Sequence, residues 1–112
     1  MIGANARIFV ATQPVDFRGS FDRLGGIVRE RLDGDPRSGT LFIFFNRAFD
    51  RVKILFFDQT GDVILYKRLD QLTFRGIIDL DPDKARVEVD AQKLKKLLAG
   101  VPAPKIGRRN IH

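Results

Sequence analysis

The stretch Thr40–Leu69 decides the fold, because it contains three short apolar runs separated by polar breaks. The runs are Leu41-Phe42-Ile43-Phe44-Phe45, then Arg51-Val52-Lys53-Ile54-Leu55-Phe56-Phe57, then Val63-Ile64-Leu65-Tyr66-Lys67-Arg68-Leu69. Runs of β-branched and aromatic residues bounded by Asn, Asp and Gly are typical of strands joined by hairpins. The breaks are too short for a helical crossover, so neighbouring strands are expected to be antiparallel. The stretch therefore predicts a three-stranded antiparallel meander.

Two elements are predicted before the meander. The run Arg7–Thr12 is expected to be a strand that ends near Pro14, since proline has no N–H to donate to a ladder. A helix is expected to follow over Asp16–Leu32, with either Asp16 or Ser20 as its N-cap. Its apolar residues recur at helical spacing. They are Phe17, Phe21, Leu24, Val28 and Leu32.

Two elements are predicted after the meander. The turn residues Asp81–Lys84 lie between Ile77–Leu80 and Arg86–Val89, which favours a second, smaller hairpin. Asp90 is expected to cap a short C-terminal helix that ends at Gly100.

The predicted fold class is α+β: a mainly antiparallel meander sheet packed by one helix from the N-terminal half, with a short C-terminal helix. The chain has 112 residues, enough for one domain with a single modest core. We expect that domain to cover residues 1–103. The basic tail over residues 104–112 has no apolar periodicity and is expected to be mobile.

Composition limits the possible functions. The chain has no cysteine, which excludes disulfides and cysteine-based metal sites and fits a reducing compartment. The N-terminus has no basic region followed by an apolar run, and no stretch approaches the roughly 20 apolar residues of a membrane span. A cytoplasmic protein without a membrane partner is therefore expected.

Catalytic constellations are not visible in the sequence. The one histidine is the terminal residue His112, so Ser-His and Cys-His pairs and histidine metal sites are not expected. No phosphate-binding glycine loop occurs. The sequence therefore predicts a protein that is not an enzyme, with no catalytic residues, no metal and no cofactor.

Carboxylates leave one catalytic alternative open, a Mg²⁺-dependent nuclease in which three aspartates converge. The candidates are Asp16, Asp22, Asp33, Asp35, Asp50, Asp58 and Asp62. Most of them lie beside Gly or Pro or at predicted turn and cap positions, where aspartate is favoured for backbone reasons. The structural interpretation is therefore preferred.

Basic residues are the stronger indication of function. Twenty Lys and Arg residues against 14 Asp and Glu residues give a formal net charge of +6, which favours an anionic partner such as nucleic acid. The first hairpin loop and the end of the third strand lie at the same end of a meander, so basic residues there are expected to form one patch. The candidate nucleic-acid-binding residues are Arg18, Arg37, Arg47, Arg51, Lys53, Lys67 and Arg68.

Aromatic residues are interleaved with these cations, and aromatic faces can stack on bases. We expect Phe45 and Phe74 to belong to the core. For Phe49, at a loop tip, both the core and a stacking role remain open.

Several short motifs appear together in a fixed order. They are Asp16-Phe17-Arg18-Gly19, Phe21-Asp22-Arg23-Leu24, Asp35-Pro36-Arg37-Ser38-Gly39, Leu41-Phe42-Ile43-Phe44, Asn46-Arg47, Asp50-Arg51-Val52-Lys53-Ile54-Leu55, and Lys67-Arg68-Leu69 with Phe74. In this order the chain resembles the small accessory proteins called TnpB, the second open reading frame product of bacterial insertion sequences of the sixty-six family. These proteins are unrelated to the RNA-guided nuclease that shares the name.

The resemblance implies a role in DNA transposition beside a separate transposase chain. The leading hypothesis is a non-catalytic accessory protein that binds DNA with weak sequence specificity, since phosphate contacts would dominate. The alternative is a protein-interaction module that docks the transposase without binding DNA. A homo-oligomer formed through an exposed strand edge is also possible.

Overall fold

The computed structural model describes residues 5–102, and its centre is the predicted meander. Strands β2 (Leu41–Phe45), β3 (Arg51–Phe57) and β4 (Asp62–Arg68) are antiparallel neighbours. The pairing of β3 with β4 is continuous over all seven residues of each strand. The meander prediction is confirmed.

Four further strands complete the architecture. Strand β1 (Ile8–Ala11) pairs in parallel with β2, and β6 (Arg86–Val89) pairs antiparallel with β1, so the five-stranded sheet has the order β4-β3-β2-β1-β6. The short strands β5 (Leu72–Thr73) and β7 (Val101–Pro102) form a separate two-stranded sheet. Helix α1 (Phe21–Arg31) connects β1 with β2, because a parallel pair needs a long crossover.

Both faces of the large sheet are covered, since successive side chains of a strand point to opposite faces. The core under α1 contains Phe9, Ala11, Leu24, Ile27, Val28, Leu32, Phe42, Phe44 and Leu55. Helix α2 (Ala91–Ala99) packs on the other face. The core there contains Ile8, Val10, Leu41, Ile43, Phe45, Val52, Ile54, Phe56, Leu69, Phe74 and Leu97. The α+β fold class is confirmed, with one parallel pair in a mainly antiparallel sheet.

The first helix is shorter than its apolar pattern predicts. It begins at Phe21 with Ser20 at the N-cap, so the Ser20 start is confirmed and the Asp16 start is wrong. Phe17 lies outside the helix, and Phe21 is 44% exposed instead of belonging to the buried stripe. The remaining predicted stripe residues, Leu24, Val28 and Leu32, are buried.

Competing hydrogen bonds explain why the helix does not begin at Asp16. The Asp16 carboxylate accepts a hydrogen bond from the backbone N–H of Arg18, which stabilises a local turn. The ammonium of Lys53 donates to the carbonyl oxygens of Phe17 at 2.9 Å and Gly19 at 3.3 Å. The chain before Ser20 is therefore held against β3 as a loop.

The predicted second hairpin is wrong. The turn over Asp81–Lys84 forms, with the N–H of Lys84 donating to the carbonyl of Asp81. Ile77–Leu80, however, is not a strand, and β6 pairs with β1 instead. All four residues of β6 pair with the four residues of β1. In this register Val87 and Val89 both lie on the α2 side of the sheet, where they pack against the core.

The C-terminal helix has the predicted ends. The Asp90 side chain accepts a hydrogen bond from the backbone N–H of Lys93, and Gly100 has a φ of 72°, which favours glycine. The predicted tail over 104–112 lies outside the described residues. Within the part of the chain that is described, no helix is both long and apolar enough to cross a membrane.

Candidate nucleic-acid interface

The loop between β2 and β3 is held together by the side chain of Asn46, which is buried. Its carbonyl oxygen accepts hydrogen bonds from the backbone N–H groups of Asp50 at 3.1 Å and Arg51 at 2.9 Å. Its amide donates to the Asp50 carboxylate at 2.6 Å. The sequence signal for this role is the preference of asparagine for turns in which its side chain binds nearby backbone groups. The loop is thereby fixed, with Arg47 exposed at its tip.

Two arginines stand directly opposite each other at this end of the meander, which we call the hairpin end (residues 46–51 and Arg68). Arg51 of β3 is the cross-strand partner of Arg68 of β4, so both side chains lie on the α1 face. Like charges in this arrangement repel each other. The hairpin end therefore concentrates positive charge where two strands meet.

The cations of the hairpin end form no ion pair within residues 5–102. No carboxylate there lies within 4.0 Å of the charged groups of Arg47, Arg51 or Arg68. The Nε–H of Arg51 is buried and has no hydrogen-bond acceptor in the same part of the chain. Three guanidinium groups are thus left without a counter-ion at one end of the sheet.

An open cleft of about 550 Å³ lies at the hairpin end. It is lined by Pro14, Val15, Asp16, Phe17, Arg18, Asn46, Arg47, Ala48, Arg51 and Tyr66. Arg18 forms an ion pair with Asp16 at 2.5 Å. The hydrogen bonds from the Arg18 side chain hold the pKa of Asp16 well below its usual range. Because that pair is neutral overall, the net positive charge of the cleft comes from Arg47 and Arg51.

Lys53 lies on the same face of β3 as Arg51 but is buried, only 7% exposed. Its ammonium lies 5.0 Å from the centre of the Phe17 ring and 5.4 Å from that of Tyr66, in addition to its two backbone carbonyl partners. Burial lowers its pKa, against the opposing attraction of Asp16. Lys53 therefore anchors the loop before α1 and does not face the cleft.

Arg37 and Lys67 are separated from the other predicted binding residues. Arg37 lies at the opposite end of the meander, where it pairs with Asp62 at 3.6 Å and covers the ring of Phe57 at 5.2 Å. The expectation that it clusters around the first hairpin is wrong. Lys67 points to the α2 face and donates to the Leu98 carbonyl at 2.7 Å. The structure brings together Arg18, Arg47 and Arg51, with Arg68 beside them.

The aromatic residues near the hairpin end belong mostly to the core. Phe45 and Phe74 are each 2% exposed, as predicted. Phe49 stacks on Phe45 with ring centres 5.2 Å apart and is covered by the Arg75 guanidinium at 4.5 Å, which favours its core role. Tyr66, in contrast, is 54% exposed at the edge of the cleft. Of the two aromatic residues that line the cleft, it is more exposed than the half-buried Phe17.

Most of the candidate aspartates have local structural roles. The carboxylate of Asp58 accepts hydrogen bonds from both the backbone and the hydroxyl of Thr60, and Asp35 accepts one from the backbone N–H of Arg37. Asp50 is bound by Asn46. Within residues 5–102, no three acidic or histidine side chains come together in a group that could hold a metal ion.

Comparison with known proteins places the chain in a family. It is 32% identical to the uncharacterized protein y4jC of Sinorhizobium fredii over 114 aligned positions, which cover 99% of this chain and 94% of that protein. It is 30% identical to the uncharacterized protein y4hO of the same organism, over 88% of this chain and 84% of that protein. No solved structure matches the chain. The family model of the IS66 Orf2-like proteins (TnpB_IS66) matches residues 6–108, and the chain belongs to this insertion-sequence family.

Proposed function

We propose that the protein is a non-catalytic accessory protein of IS66 transposition that binds DNA at the hairpin end. Arg47 and Arg51 make the principal phosphate contacts, and Arg18 and Arg68 flank them. Membership of the IS66 Orf2-like family supports the transposition context. The partner is DNA, because the site offers guanidinium groups and an exposed aromatic ring and no catalytic group.

One observation carries the proposal: Arg51 and Arg68 are opposed across β3 and β4 with no carboxylate to neutralise them in the described chain. Such a pair is repulsive in the free protein. A phosphate placed between or above the two guanidinium groups replaces that repulsion by attraction. Arginine suits this role because its planar fork can bind two phosphate oxygens at once.

The remaining cleft residues support the same function. The fixed loop holds Arg47 beside Arg51 before any ligand arrives, which lowers the entropic cost of binding. The Asp16–Arg18 pair lies on the rim, where the exposed Arg18 can exchange part of its contact with Asp16 for a phosphate oxygen. The exposed ring of Tyr66 can pack against a sugar or an unpaired base.

Fluorescence anisotropy with a labelled duplex, from about 50 to about 200 mM salt, tests the proposal. Four phosphate contacts predict a slope of log K against log salt of about −4. Arg47→Ala and Arg51→Ala are each expected to make that slope shallower by about one. A single strand measured in parallel shows whether Tyr66 adds a preference for unpaired bases.

Arg37→Ala is the matched control. It removes an exposed arginine from the opposite end of the same sheet, so the slope and the affinity are expected to stay unchanged. An equal effect of Arg37→Ala and Arg51→Ala would contradict a localised site. No binding at about 50 mM salt would overturn direct DNA binding, and the hairpin end would then be a docking surface for an acidic face of the transposase.

Metal-dependent nicking of the duplex, abolished by Asp50→Asn or Asp58→Asn, would overturn the non-catalytic role. We expect no nicking, because each of these carboxylates is bound within its own turn.

A further inference from the structure

The outer edge of β4 is a long, regular strand edge. Its pairing with β3 runs over seven residues without a bulge, and the strand contains no proline. Leu65 is 45% exposed and Tyr66 54% exposed, and they lie on opposite faces. Natural edge strands are usually blunted by bulges, prolines or outward-facing lysines. The one lysine of this strand, Lys67, projects from the α2 face opposite Val52 and donates to the Leu98 carbonyl, so its ammonium does not cover the edge.

The direction of the free backbone groups follows from the ladder with β3. The N–H of Leu69 donates to the carbonyl of Asp50, and the N–H of Asp58 donates to that of Gly61, at the two ends of the β3–β4 pairing. Hydrogen-bonded pairs alternate along an antiparallel ladder. Every second residue of β4 therefore bonds to β3, and the backbone N–H and C=O groups of the alternate residues point away from β3, toward the free edge. These residues are Asp62, Ile64, Tyr66 and Arg68.

We propose that this edge pairs with β4 of a second copy of the chain, antiparallel and centred on Leu65. The outward-facing residues must lie opposite each other, and the longest such ladder places Asp62 of each copy opposite Arg68 of the other. All seven residues of both strands are then paired, with Leu65 facing Leu65 on the two-fold axis. The partner is a second copy because the edge is complementary to itself in charge. The 3.6 Å pair of Asp62 with the exposed Arg37 is long, so the carboxylate can also meet Arg68 of the second copy.

Other alignments lose this complementarity. A shift by two residues in one direction places Asp62 opposite Tyr66, and a shift in the other direction places Arg68 opposite Ile64. Each shift shortens the ladder and removes both ion pairs. Opposite charges directly across a ladder stabilise it, so the centred alignment is favoured. In this dimer the two five-stranded sheets become one ten-stranded sheet. The Arg51 and Arg68 side chains of both copies lie on the same face of it.

The dimer changes the environment of one cation at the hairpin end, Arg68, and leaves the principal DNA-binding arginines accessible. Asp62 of the second copy approaches Arg68 from the free side of β4, opposite to the side where Arg51 lies. The carboxylate then reduces the repulsion between Arg68 and Arg51. Arg47 and Arg51 stay available for phosphate in the dimer, whereas Arg68 is partly neutralised and contributes less to DNA binding than in the monomer.

Sedimentation equilibrium of the full chain without DNA tests the pairing independently of the proposed function. A single strand edge buries less surface than a standard interface, so we expect a reversible dimer with a dissociation constant between about 1 μM and about 1 mM. If the chain stays monomeric across that whole concentration range, the proposal is wrong. The edge of β4 would then be a candidate binding site for a strand of another protein. Leu65→Lys, which places two ammonium groups on the axis, is expected to abolish the dimer.

A charge-exchange experiment identifies the alignment. Asp62→Arg alone places arginine opposite arginine, and Arg68→Asp alone places aspartate opposite aspartate, so each variant is expected to be monomeric. An equimolar mixture restores an Arg–Asp pair at both ends and is expected to form a heterodimer. The recovery also shows that both variants fold. Dimerisation of either variant alone as strongly as the unchanged chain, or no association in the mixture, would overturn the centred alignment.

Discussion

The two ends of the meander differ in how their positive charges are used. At the end where β3 turns into β4, which we call the turn end (residues 57–62), Arg37 pairs with Asp62 at 3.6 Å, and nearby Arg7 pairs with Glu88 at 2.9 Å. At the hairpin end, Arg47 and Arg51 have no carboxylate partner in the described residues. A cleft of about 510 Å³ at the turn end is nearly as large as the 550 Å³ cleft at the hairpin end. Unneutralised charge, not cavity size, therefore distinguishes the candidate site.

Two cations of the same strand, Arg51 and Lys53 of β3, also differ in whether their charge is satisfied within the protein. Arg51 and Lys53 are two residues apart and share a face of β3, yet Lys53 is buried against backbone carbonyls. An ammonium group is compact and can be surrounded by two carbonyl oxygens and two aromatic rings. A guanidinium group has a wider donor fork and suits an anion at the surface. Charge alone does not tell these roles apart.

The largest expected effect comes from removing the side chain that holds the hairpin end. Asn46→Ala leaves two backbone N–H groups without their acceptor and is expected to lower the free energy of unfolding by about 2–3 kcal/mol. DNA affinity is expected to fall as well, because Arg47 is no longer held in place. Urea denaturation measures the first effect and anisotropy the second.

Gln59→Ala is the control at the turn end. Gln59 is exposed and its side chain makes no hydrogen bond within the described residues, so the change is expected to stay within about 0.5 kcal/mol. Comparable losses for the two variants would contradict the special rigidity of the hairpin end.

A smaller effect is expected for Lys53→Met, which keeps the apolar stem and removes the ammonium. The carbonyls of Phe17 and Gly19 lose a donor, so the free energy of unfolding is expected to fall by about 1–2 kcal/mol. The salt slope of DNA binding is expected to stay that of the unchanged chain, unlike that of Arg51→Ala. A slope shallower by about one unit would instead show that Lys53 contacts phosphate directly.

The smallest effect concerns the turn end in acid. Hydrogen bonds from the backbone and side chain of Thr60 lower the pKa of Asp58 from its ordinary value of 3.8. The folded state therefore favours the carboxylate, and this contribution to stability is complete above pH 3.8 and is lost as the pH falls through the lowered pKa. Asp58→Asn is expected to have a flatter dependence of the thermal midpoint on pH below about 4. An unchanged profile would show that the turn does not bind the carboxylate in solution.

Local patterns were sufficient for much of the fold. The three strands of the meander and their antiparallel order were visible in the sequence and are confirmed. So were the ends of α2. For α1 the sequence left two starts open, Asp16 and Ser20, because Phe17 also fits a helical stripe. The turn between Asp16 and Arg18 and the contacts of Lys53 with the loop decide for Ser20. The partner of β6 was not visible, since nearness in sequence favoured a hairpin.

The candidate site was predicted only in part. The sequence located a basic hairpin and the end of the third strand, from which Arg47, Arg51 and Arg68 follow. It did not separate these arginines from Arg37, Lys53 and Lys67, because charge neutralisation depends on side-chain contacts. Asn46 has the turn preference of asparagine in the sequence, but its three hydrogen bonds to Asp50 and Arg51 appear only in the folded loop.

By itself, the sequence determined the three strands of the meander, the two hairpin connections between them and the excess of positive charge, since these depend on residues close together in the chain. Only the tertiary structure decided which cations are satisfied internally. Arg7 meets a carboxylate 81 residues away, and Lys53 meets a carbonyl 36 residues away. Such contacts form when strands and loops pack, and no local pattern specifies them. The arginines of the hairpin end form no ion pair in the described residues, and their positive charge is therefore available to a partner.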